Sequence, residues 1–156
     1  MNLTKFVLFA LLLFSLTNKA TECVNDTSVC SFYCQKSDEL NCSASNYLKS
    51  FGYKYCRLFI NKEQSYTKAG RPIFERIRNC LVNRLASQNN LTCESVAPIA
   101  VASHVDCYID NNFCELNNHD RLTTLWFIRS ELLDRKFLPT MAKIVSLCEQ
   151  RKPHHH

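Results

Sequence analysis

Ten cysteines in a chain of 156 residues, all downstream of a short apolar leader, constrain this sequence more than any other feature. The leader opens with Lys5, runs through FVLFALLLFSL (Phe6 to Leu16) and reaches a small residue at Ala20. That run is too short to span a bilayer, which takes about 20 apolar residues. A basic start, a short apolar run and a small residue form the layout of a secretory signal peptide. Residues 1–20 are therefore read as a signal peptide, 21–150 as a single domain and 151–156 as a polar tail. The expected location is secreted and extracellular. No later stretch is apolar for long enough to suggest a membrane span.

An even number of cysteines in an exported chain reads as a disulfide framework. Zinc sites usually draw on close CxxC pairs. The closest cysteines here are Cys30 and Cys34, with no matching second pair and no histidine spacing to complete a site. CYIDNNFC, from Cys107 to Cys114, poses the same choice locally: metal loop, redox pair or scaffold anchors. Calcium needs about six to eight oxygens in a defined loop, and Asp106, Asp110 and Glu115 do not form one. The two cysteines read as anchors, and neither a metal nor another cofactor is expected.

Only two glycines and four prolines occur. Sandwiches and barrels consume many turn residues, so an all-α fold of about five disulfide-stapled helices is the better reading. Apolar periodicity marks the helices. Leu48, Phe51, Tyr55 and Phe59 form one stripe; Ile73, Phe74, Ile77, Cys80 and Leu81 form another. A third runs through Val96, Ile99, Ala100, Ser103 and Cys107, with Ser95 as its expected N-cap. A fourth helix is expected from about Asp120, its buried face carrying Leu122, Leu125, Trp126, Leu132 and Leu133, with Asp120 as its cap. Phe127 lies off that stripe. Met141, Ile144, Val145 and Cys148 make the fifth. Cysteines on such faces can approach within the 4.4–6.8 Å Cα separation a disulfide requires.

YKYCRLF with 23 residues between its Cys56 and Cys80, the 13-residue gap from Cys93 to Cys107, CYIDNNFC, and the helix YTKAGRPIFERIRNCL together carry a recognisable register. It resembles that of the stanniocalcins, secreted glycoprotein hormones, over roughly Cys23 to Cys148. The resemblance implies the pairs Cys23–Cys34, Cys30–Cys56, Cys42–Cys93, Cys80–Cys107 and Cys114–Cys148, out of about nine hundred possible pairings. The N-terminal gaps, from Cys23 to Cys56, depart from the family's. So does the lack of the family's eleventh cysteine, which joins two chains; no covalent dimer is expected, and non-covalent association stays open. Asn25, Asn41 and Asn90 begin glycosylation sequons, Asn41 with Cys42 as its middle residue.

The resemblance implies a hormone-like regulator of calcium and phosphate handling that binds an extracellular receptor or target protein. A saposin-like lipid binder or a protease inhibitor is the alternative, and the expectation is that the chain is not an enzyme. His119–Asp120 is similar to a phospholipase dyad, but the Gly-rich calcium loop is missing; His104 reads as a core-edge residue. The chain's formal charge falls from +5 to +3 once Lys5 and Lys19 are set aside, too mild for a nucleic-acid partner. Arg71, Arg76 and Arg78, with Arg84 further along, are read either as a solvated helix surface or as a partner-binding patch.

Overall fold

The computed structural model describes residues 23, 25–131 and 137–151. The expected signal peptide, Leu132 and Leu133, and the terminal residues after Arg151 lie outside them. Six α-helices and no strand occur among the described residues: α1 (Ser31–Glu39), α2 (Lys54–Asn61), α3 (Gly70–Ala86), α4 (Val96–Asp110), α5 (Asn118–Phe127) and α6 (Leu138–Gln150). A six-residue π-helix, Leu48–Tyr53, runs directly into α2. The element without a sequence signal is α1. Its apolar residues form no regular stripe, and Cys34 and Tyr33 bury it instead.

α3 is the spine. Ile73, Phe74 and Ile77 belong to one buried cluster with Tyr108, Ile109 and Ile144. Val82 and Leu85, further along the same helix, belong to a second with Val96, Ala100 and Leu48. The start of α3 thus shares a core with the end of α4, and the end of α3 with the start of α4. The two helices pack antiparallel, and the Cys80–Cys107 bond crosses between them. α6 lies against α4 on the first core, and α1 against the π-helix on the second.

Five disulfides join Cys23–Cys34, Cys30–Cys56, Cys42–Cys93, Cys80–Cys107 and Cys114–Cys148, with Cα separations of 5.0 to 5.9 Å. They tie Cys23 to α1, the N-cap of α1 to α2, the loop after α1 to the turn before α4, α3 to α4, and the turn after α4 to α6. Such a set is characteristic of extracellular or secreted proteins. No helix among the described residues is long and apolar enough to cross a membrane.

The expectation for α5 is overturned. Leu122, Leu125 and Trp126 are 64%, 37% and 63% exposed, while the face turned inward carries Asp120 and Thr124. Phe127 turns inward too and packs edge-on against Phe59 and Tyr66. The helix starts at Asn118, capped by Asn117, whose side-chain oxygen accepts from the Asp120 amide at 2.8 Å. Asp120 is not the cap. Ser95 precedes α4 as expected but makes no side-chain cap bond to it; its hydroxyl instead accepts from the Thr92 amide.

Candidate functional site

Among the six described helices, α5 alone carries no cysteine. Hydrogen bonds and rings hold it in place. The buried Asp120 carboxylate accepts from the Thr67 hydroxyl at 2.6 Å and the Thr67 amide at 2.9 Å. Burial alone would raise its pKa, but these bonds and His119 outweigh that and hold it below the ordinary carboxylate value. Thr124 donates to the Asp120 carbonyl and lies 3.4 Å from the Tyr66 hydroxyl. Arg121 donates to the Cys114 carbonyl. With this polar face pinned inward, periodicity turns the apolar face outward.

The outward face is continuous with α6. Leu122, Leu125, Trp126 and Arg129 line one shallow depression, and Leu125 is shared with a second that Met141 and Val145 line. The Arg129 guanidinium stacks over the Trp126 ring at 4.1 Å. A tryptophan and an arginine presented on a rigid support are the residue types that dominate binding energy at protein interfaces.

The arginines of α3 do not make one patch. At 100° per residue, Arg71 and Arg78 share a face while Arg76 and Arg84 point elsewhere. Arg71 donates from Nε to the Tyr66 carbonyl. Arg76 and Arg84 are exposed, whereas Arg78 is half-buried. The three sequon asparagines, Asn25, Asn41 and Asn90, are all exposed, and Asn41 adopts a left-handed φ of 55°. His119 and Asp120 meet at 3.3 Å, but Asp120 is occupied in anchoring α5.

Between the π-helix, α3 and α4 lies a partly enclosed chamber of about 60 Å³. Tyr33, Tyr47, Tyr108, His104 and Arg78 line it with Phe51, Phe74 and Ile77. Burial pushes the Tyr108 phenol up to about 12 and raises those of Tyr33 and Tyr47 further. Burial also lowers the pKa of His104, so its ring is neutral at pH 7; Nδ1 lies 2.7 Å from the Ala100 carbonyl and must carry the proton. Nothing local in the sequence signals this grouping, because its members come from four separate segments; spacings such as His104–Tyr108 and Phe74–Arg78 mark shared helix faces, not the meeting of those faces.

No family model matches the chain, and neither a curated protein nor a solved structure matches it.

Proposed function

We propose that this is a secreted, stanniocalcin-like regulator of calcium and phosphate handling that acts by binding the extracellular part of a receptor or target protein. The observation that carries the recognition role is the outward apolar face of α5: Leu122, Leu125 and Trp126 stand on solvent with Arg129 over the indole. Apolar residues grouped this way on a disulfide-braced body support an interaction surface. The partner's matching surface has an apolar centre to receive Trp126 and an acidic group to meet Arg129. The cysteine register supports the hormone-like class, and the disulfides support an extracellular setting.

The test applies the purified protein to epithelial monolayers and measures transepithelial calcium and phosphate flux against dose. A saturable response that a Leu122→Ser/Trp126→Ser variant loses supports the proposal. A flat response for the wild type refutes the hormone-like role. Binding of the wild type to anionic vesicles, lost in the same variant, would instead favour the lipid-binding alternative.

A further inference from the structure

The partly enclosed chamber holds more hydrogen-bonding capacity than the chain uses. Arg78 Nε is buried with no hydrogen-bond partner. Its guanidinium makes no ion pair within 4 Å among the described residues; Glu75 and Glu63 act on it only at longer range. The hydroxyls of Tyr33, Tyr47 and Tyr108 make no hydrogen bond among the described residues either, and lie close enough that charge on one opposes charge on another. Buried polar groups are ordinarily satisfied. One buried guanidinium nitrogen left open, beside three phenols that bond to nothing else among the described residues, points to something that fills the void.

The backbone around the chamber is unusual in a way that serves it. The π-helix Leu48–Tyr53 places Phe51 and Gly52 in the wall, and short π segments are frequent at functional sites. Gly52 admits the Tyr33 ring: a Cβ there would lie 2.7 Å from Tyr33 Cε1. The tyrosine therefore reaches the chamber only because residue 52 lacks a side chain.

We propose that this chamber is a binding site for a small planar oxoanion, of the size of formate or nitrate, held by the Arg78 guanidinium and the tyrosine hydroxyls. The sign follows from the donors. A guanidinium has no acceptor, phenols donate readily, and no carboxylate lines the void. The planar fork of arginine matches two oxygens of a planar anion. The size follows from the volume. A cavity that admits benzene measures about 150 Å³, so a void of about 60 Å³ has no room for a ring or a long chain. Phe51, Phe74 and Ile77 shield the charge pair from water and strengthen it.

The test is isothermal titration of the intact, disulfide-bonded protein with sodium formate and sodium nitrate. Ionic strength is fixed with sodium gluconate, a carboxylate too large to enter. The expected result is a saturable isotherm for the small anions and a higher melting temperature in formate than in gluconate. Tyr47→Phe, which removes one oxygen and keeps the ring, should weaken binding about three- to tenfold. Arg78→Lys should weaken it more than about tenfold, while Arg76→Lys, on an exposed face of the same helix, should leave it unchanged. Absence of saturable binding by the wild type, or equal affinity in wild type and Tyr47→Phe, would overturn the proposal and leave the chamber to water. Should Arg78→Lys fail to fold, Tyr47→Phe decides alone.

Discussion

The Asp120 carboxylate occupies the space that a side chain at residue 70 would need: a Cβ built on Gly70 would lie 2.8 Å from Asp120 Cγ. Gly70 is the first residue of α3, and Asp120 lies in the first turn of α5. An anion at the start of α3 meets the positive end of its dipole. Thr67 joins the two, donating to Asp120 and accepting from the Gly70 amide at 3.1 Å. One carboxylate thus secures the helix that lacks a disulfide and supports the start of the spine.

Gly70→Ala should therefore destabilise the protein by about 1–3 kcal/mol through overpacking. Asp120→Ala should cost a similar amount by stranding the Thr67 donors. The double variant should cost less than the sum, because the alanine at 120 removes the group that the new methyl strikes. Urea midpoints of the four proteins check this; strict additivity would break the link between the two residues.

The same carboxylate sets an acid limb. Its folded pKa lies below the unfolded value of 3.8. The stabilisation it gives is complete above that value and is lost as pH falls through the folded pKa. Asp120→Asn should flatten the loss of stability below about pH 4, read from melting temperatures between pH 2 and 6; an unchanged slope would assign the acid limb to other groups.

α5 also shows where a sequence misleads. Leu122, Leu125 and Trp126 invite an apolar inward stripe, yet they face outward, and Phe127, off that stripe, turns in. Hydrophobic periodicity detects which residues share a face, not which way that face points. Orientation here is decided by Asp120 and Thr124, whose partners Thr67 and Tyr66 lie more than fifty residues earlier. The stripes of α3 and α4 were legible because their buried residues are apolar and recur regularly. The five bonded pairs coincide with those that the family resemblance, and not the spacing itself, implies. The chamber was not legible, since Tyr33, Tyr47 and Arg78 meet only through tertiary packing.

A stability contrast follows on that helix. Leu122→Ser and Trp126→Ser should each change stability by no more than about 0.5 kcal/mol, as exposed substitutions do. Phe127→Ala, which removes the contacts to Phe59 and Tyr66, should cost about 3 kcal/mol. Chemical denaturation separates the cases. A large loss from Trp126→Ser would mean that α5 faces the other way.

The disulfides should differ in weight according to the loops they close. Cys42–Cys93 closes a sequence separation of 51 and Cys23–Cys34 one of 11. The chain-entropy relation gives about 4 kcal/mol for the longer loop and about 3 for the shorter. The longer bridge also fixes the loop after α1 against the turn before α4, where the Asn46 side chain donates to the Cys93 carbonyl at 2.7 Å. Paired cysteine-to-serine replacement should lower the melting temperature more at Cys42 and Cys93 than at Cys23 and Cys34. The reverse order would show that strain or residual structure in the unfolded chain outweighs loop entropy. Replacing Cys42 alone should be worse still in secreted yield, since it frees Cys93 to pair wrongly with the remaining thiols during oxidation; non-reducing peptide maps of the secreted material would reveal those mispaired species directly.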